Sequence, residues 1–308
     1  MSEAFEQPVL IYDRIAANRR RTFLLMILFF LVVAGASTAV GIVAGLPPGL
    51  SPIVLVFVLA FAAFSYFGSD SVALRVSGAR GPVSQAEERD LYRTVENLCI
   101  GAGLPLPKIY VIEDGSMNAF ATGRDPDHAS VAITRGLLDK LDRRELEGVL
   151  AHELSHIGNR DTLLMTTTVV LVGLLALLAD LAFRMTWYGA GRRRSYNGKN
   201  SNGAAILLVV ALVAAILAPI AARIISFAIS RQREYLADAS GALLTRYPEG
   251  LASALEKISG DADPLDAATK ATEHMYFVSP LSAHKSSLNN MFASHPPIEE
   301  RIKLLRAM

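Results

Sequence analysis

The sequence predicts a mainly helical protein with a small β-sheet, an α+β chain held in a membrane by two hydrophobic helical hairpins. Three observations point there. Hydrophobic residues make up 52% of the 308, yet they gather in four long blocks that no soluble core would need. Water-soluble stretches lie between and after these blocks. Within the soluble stretches, residues 108–134 carry the β-branched and aromatic runs expected of strands.

Residues 1–80 read as an N-terminal segment and the first hairpin. After Arg19, Arg20 and Arg21, Phe23 to Leu46 runs for 24 residues without a charge, about 36 Å at helical rise and enough to cross a bilayer. It is too long for the apolar region of a signal peptide. Ile53 to Phe67 is a second apolar run, extendable to Leu74 across Ser69, Asp70 and Ser71. The uncharged connection Pro47 to Pro52 makes the two a hairpin. Arg75 and Arg80 follow, so basic residues flank both open ends, which places the N-terminus and the chain after Arg75 on the cytoplasmic side.

Residues 81–161 read as soluble. Ser84 is expected to open a helix of about four turns, with Gln85, Glu87 and Glu88 near its start. Gly101 and Gly103 end it, and Pro105 and Pro107 prevent its return. Lys108 to Glu113, Asn118 to Thr122 and Ala129 to Thr134 are expected strands, with Asp125-Pro126-Asp127 as a loop between the last two. Leu137 to Leu141 is an expected short helix, and Asp142 an expected cap for the next one. Residues 162–230 read as the second hairpin, with blocks at 163–183 and 204–229. Their connection holds Arg192, Arg193, Arg194 and Lys199, a basic run that resists an outside location. Asp180, Arg184 and Arg223 point to a shallow or protein-shielded hairpin. Residues 231–308 read as soluble and mainly helical.

The formal charge of +1 argues against a nucleic-acid binder, which would be markedly basic. Cys99 is the only cysteine, so there is no intrachain disulfide and no thiolate zinc cluster. It reads as a small buried hydrophobe.

The stretch Val149 to Asp161, VLAHELSHIGNRD, carries the chemistry. His152 and His156 are one helical turn apart, so both imidazoles leave one face and can hold one Zn²⁺. Glu153 is placed to take a proton from a water at the same ion. An amphipathic helix with two surface histidines is the plain alternative. A catalytic zinc needs a third protein ligand and an open position. The second hairpin returns the chain beside its start, which brings Ser230 to Asp238 near the histidines. Glu234 is the candidate ligand. Asp238, one turn on, could accept the free N–H of a ligand histidine. Taken alone, both are better read as ordinary acids on a solvated helix face beside Arg231 and Arg233.

Four segments then resemble HtpX-type membrane zinc endopeptidases, relatives of the CAAX prenyl endopeptidases: HELSH at 152–156, EYLAD at 234–238, SMNAFATG at 116–123 and SHPPIEERI at 294–302. They fall in order and cover most of the chain. The resemblance implies a gluzincin-like fold with one Zn²⁺ per chain, held by His152, His156 and Glu234, with Glu153 as general base. It implies proteolytic quality control of membrane or misfolded proteins in a bacterial inner membrane, with polypeptide and lipid bilayer as partners. Asn118, Ala119, Phe120 and Ala121 look like the family's edge strand, which would pair with an extended substrate backbone; a plain structural strand is the other reading. His295 looks like the family's late His-Pro segment. With Arg301 one turn further on it could support the developing oxyanion, or be a turn histidine beside a helix-surface arginine. A non-proteolytic membrane scaffold with a structural zinc is the alternative for the whole chain, and would need a fourth protein ligand such as His295. His128, His274 and His284 match nothing and read as surface or loop residues.

Overall fold

The computed structural model describes residues 51–168, 231–261, 276–277 and 296–308, together with Arg20, Phe23, Leu24, Ile27 and Leu31. The chain divides into two compact units. Residues 1–22, 70–166 and 229–308 form one, and 23–69 with 167–228 form the other.

In the second unit, Phe23, Leu24, Ile27 and Leu31 are helical and exposed. Helix α1, Ser51–Val76, begins there and carries the second apolar run without a break through Ser69, Asp70 and Ser71. Its Val56, Phe64 and Phe67 are exposed. Among the described residues no helix is long and apolar enough to cross a membrane; most side chains between 51 and 65 are outside them. The rest of the expected run 23–46, the block 163–183 beyond Thr168, the block 204–229 and the basic connection between them also lie outside the described residues.

The first unit holds the sheet and the motif helix. The helix expected from Ser84 starts later, as α2, Arg89–Ala102. The Glu87 carboxylate accepts from both the N–H and the Oγ of Ser84 at 2.7 Å. That local turn satisfies the donors a helix start would leave open, and the chain turns before it coils. Gly103 ends α2 with φ 65°, the left-handed conformation that costs a glycine nothing.

Strands β1 (Lys108–Ile112), β2 (Ala119–Gly123) and β3 (Ala129–Thr134) make a sheet of order β1-β3-β2. β1 runs parallel to β3, with Ile109 opposite Val131. β2 runs antiparallel to β3, with Phe120 opposite Ala132. The 129–134 strand falls where the sequence puts it, and the others shift by one residue. Asp125 caps a short 3-10 turn, Pro126–His128, by accepting from the His128 N–H. His128 is half-exposed and its ring bonds Asp125.

Thr134 caps α3, Arg135–Lys140. Asp142 then caps α4, Arg143–Gly158, in a reciprocal box: its carboxylate accepts from the Glu145 N–H while Glu145 accepts from the Asp142 N–H. Together these satisfy donors a helix start would otherwise leave open. Glu145 also receives Lys257 Nζ at 2.7 Å. From Gly148 to Leu154 α4 is buried without interruption, because β2, α5 (Arg231–Thr245) and α6 (Pro248–Ser259) all pack on it. Val149, Leu150, Leu154 and Ile157 are each 1% exposed or less, and burying such a side chain stabilises by roughly 1.5–3 kcal/mol. Two glycines set the distances. A Cβ on Gly148 would lie 2.7 Å from the Leu251 backbone nitrogen, and one on Gly241 would lie 3.0 Å from that of His152. The second contact draws α5 against α4 at the motif itself. Helix α7, Ile298–Arg306, closes the unit, with Arg306 bonded to Glu249 and Glu256 of α6.

Candidate metal centre

His152 and His156 leave α4 on one face, and their Nε2 atoms are 3.1 Å apart. The first turn of α5 brings Glu234 to the same point. Its Oε1 lies 3.6 Å from His156 Nε2 and its Oε2 3.8 Å from His152 Nε2. All three side chains are buried, and one donor atom from each falls within 4.8 Å of the others. Donors around a tetrahedral zinc with bonds near 2.0–2.1 Å stand about 3.3 Å apart, so the trio fits that ion. The donor chemistry fits too: two imidazoles and one carboxylate is a zinc set that leaves a position open.

The Nδ1 atoms are engaged elsewhere, which turns the Nε2 atoms toward Glu234. His152 Nδ1 is 2.9 Å from Asp238 Oδ1. Asp238 is one turn beyond Glu234 on α5 and is clasped by Arg301 of α7, whose Nε and Nη2 donate to it at 2.8 and 2.7 Å. Arg301 is fully buried, and its Nη1 stands 3.7 Å from Glu234 Oε2. Two of its nitrogens thus donate to Asp238, while Nη1 faces Glu234 as a charge without a hydrogen bond. His156 Nδ1 is 3.2 Å from Asp161 Oδ2, and Asp161 Oδ1 is 3.8 Å from Arg233 Nε.

Glu153, next to the first histidine, is 2% exposed. Burial pushes its carboxyl up to about 7, against the pull of His156 and of the Ala121 N–H that bonds it, and with Glu234 adding to the rise. A carboxyl near neutrality is suited to taking and returning a proton. Burial also lowers His152, whose Asp238 partner opposes the shift without reversing it. For His156 burial acts in the same sense, but Asp161, Glu234 and Glu153 outweigh it and raise the ring.

β2 is one edge of the three-stranded sheet and packs on α4. The Asn118 carbonyl accepts from the Thr134 N–H at 3.0 Å, so by antiparallel alternation Ala119, Ala121 and Gly123 turn their backbone groups away from β3. Those outward groups meet the site. The Ala121 N–H donates to Glu153, and the Ala119 carbonyl accepts from the Phe277 N–H at 2.9 Å. Phe277 also stacks edge-on against His152, with centroids 4.9 Å apart, and under the Arg301 guanidinium. Tyr276 stacks edge-on against Phe120. His295 lies outside the described residues, as do His274 and His284. Cys99 is buried away from this cluster in the hydrophobic core, and burial pushes its thiol up to about 11.

Asp161, Arg233 and Phe277 are site neighbours that sequence patterns did not single out. Asp161 carried a signal, as an acid just past the end of the motif helix. Phe277 carried none.

Peptidase family M48 matches residues 85–308, a span that includes every residue of the cluster. The chain belongs to peptidase family M48. A protease HtpX homolog from Dictyoglomus thermophilum is 47% identical over 98% of this M48 peptidase and 96% of the relative. One from Thermoanaerobacter pseudethanolicus is 45% identical, covering 97% and 98%. One from Listeria monocytogenes is 44% identical, covering 97% and 100%. Among solved structures, the crystal structure of S. mikatae Ste24p aligns with a TM-score of 0.49 at 20% identity, over 82% of this chain and 57% of that one.

Proposed function

We propose that this M48 peptidase is a zinc-dependent endopeptidase embedded in a bacterial inner membrane, cutting membrane or misfolded polypeptides with its site on the cytoplasmic side. The observation that carries the zinc reading is the convergence of His152, His156 and Glu234, from two helices far apart in sequence, beside a buried Glu153. Zinc bound there would polarise the scissile carbonyl and acidify a water.

The chain's own groups do the rest. Glu153 takes a proton from the attacking water at its carboxylate and returns it to the leaving amine. The Ala121 N–H of the edge strand favours the charged form of that carboxylate. A substrate backbone pairing along β2 takes over the Ala119 carbonyl from the Phe277 N–H and lies across the face of α4. Such pairing reads main chain, so it tolerates many sequences, as quality control of misfolded chains requires. Arg301 and Asp238 hold His152 and Glu234 in place, and His295 would complete the oxyanion side.

Membrane embedding is supported by the exposed apolar side chains Phe23, Leu24, Ile27, Leu31, Val56, Phe64 and Phe67, and by the uncharged runs around them. Arg75 in the last turn of α1 and Arg80 beyond its end support the cytoplasmic side. The deciding experiment replaces Glu153 with Gln. Zinc stoichiometry should stay at one per chain while cleavage of a casein or membrane-protein reporter in detergent falls by about 10²–10⁴-fold. Full activity in that variant would remove Glu153 as the base. Activity that survives chelation would remove the zinc reading.

A further inference from the structure

Each histidine of the cluster is backed by an aspartate that has an arginine beside it, more tightly at His152 than at His156. His152 leans on Asp238, which is held by Arg301. His156 leans on Asp161, which faces Arg233. The four backing residues are buried, with exposures of 6% or less. In both arms the aspartate bridges separate elements. Asp238 reaches from α5 to a histidine on α4. Asp161, just past the end of α4, reaches to Arg233 at the start of α5, and Arg233 directly precedes Glu234.

The backbone is bent to make the second arm. Arg160 takes φ 57°, a left-handed conformation that L-residues other than glycine adopt at a cost of about 1–2 kcal/mol. That turn breaks α4 after Gly158 and lets the chain resume as helix at 161–168. It swings the Asp161 side chain back under the His156 ring five residues earlier. A straight helix would carry residue 161 about 140° around the axis from 156, away from that ring.

We propose that Asp161, facing Arg233 at 3.8 Å, is a positioning residue of this peptidase. Its carboxylate accepts the Nδ1–H of His156, which fixes the ring's tautomer and rotation so that the Nε2 lone pair points at Glu234 and His152. The same carboxylate, through Arg233, ties the second histidine to the helix start that carries Glu234. This assignment rests on the zinc reading above and deepens it. A carboxylate behind an imidazole sharpens its donor strength and orientation, and removing such a partner weakens metal binding by about 10–100-fold.

The test uses the full chain in detergent, with zinc affinity from chelator competition and the visible absorption of the cobalt-substituted protein. Asp161→Ala should weaken zinc binding by about 10–100-fold and shift the cobalt bands, because the ring loses its orientation. Asp161→Asn keeps the volume and an acceptor oxygen, and should recover most of the affinity. Arg233→Gln should fall between wild type and Asp161→Ala. If Asp161→Ala fails to fold, the assignment is decided on Asp161→Asn and Arg233→Gln: wild-type affinity and wild-type cobalt bands in both overturn it. Unchanged affinity and bands in a folded Asp161→Ala protein overturn it too, even if its melting temperature drops, since a purely structural residue would behave that way. A wild-type chain that takes up no zinc would instead remove the zinc reading itself.

Discussion

Arg301 clasps Asp238 with two parallel hydrogen bonds, Nε to Oδ2 at 2.8 Å and Nη2 to Oδ1 at 2.7 Å. The arginine comes from the last helix and the aspartate from the helix that delivers Glu234. The pair is buried on both sides, and the same aspartate backs His152. One ion pair therefore binds the C-terminal helix to the cluster.

Arg301→Met should destabilise the protein by about 3–5 kcal/mol, because it leaves the Asp238 and Glu234 carboxylates buried without their cation. Pairing it with Asp238→Asn should cost less than the sum of the two single changes, since the second change removes one of the charges the first one orphans. Chemical unfolding of the two singles and the double in detergent checks this. Strict additivity would show that the pair is not coupled.

The same pair sets an acid limit. Burial alone would raise the Asp238 carboxyl, but Arg301 and His152 overcome it and hold it at about 2, against an ordinary 3.8. A folded-state pKa below the unfolded one stabilises in full above the unfolded value and is lost as pH falls through the folded one. The contribution, on the order of 2 kcal/mol, should thus be complete above about pH 4–5 and fade toward pH 2. Unfolding of wild type and Asp238→Asn with excess chelator checks it. The gap between the two proteins should narrow by that amount from neutral pH to about pH 2. A gap independent of pH would contradict it.

Gly148→Ala should cost about 1–3 kcal/mol, the usual range for overpacking a close contact. Its new Cβ would sit 2.7 Å from the Leu251 backbone nitrogen, where no flexible side chain can yield. Gly158→Ala is the control on the same helix. Its Cβ would meet only the Leu104 side chain at 3.7 Å or more, so the change should be neutral or stabilising. Melting temperatures of the two variants should move apart, and equal values would argue against the α4–α6 contact.

Much of the soluble fold can be read from local patterns. The strand at 129–134, the Asp142 cap, the Gly103 stop and the motif helix follow from alternation, capping chemistry and helical spacing, each settled within a few residues. Helix α2 starts later than the Ser84 signal predicts because Glu87 bonds Ser84 in a local turn. Glu234 was a candidate by chain geometry, and only the family resemblance raised it above an ordinary surface acid. The cluster also contains residues with no local mark. Phe277 looks like any aromatic, and its place against Ala119 and His152 depends on contacts with residues far earlier in the chain.

The two imidazoles share a face because four residues make nearly one turn, and no fold is needed to know it. Which way their rings point is another matter. That depends on Asp161 turned back by a left-handed Arg160, on Asp238 carried in by another helix, and on a glycine at 241 that lets the two helices close up. Such features arise when helices distant in the chain are pressed together and their buried charges must be neutralised. No periodicity along one strand of sequence records that pressure.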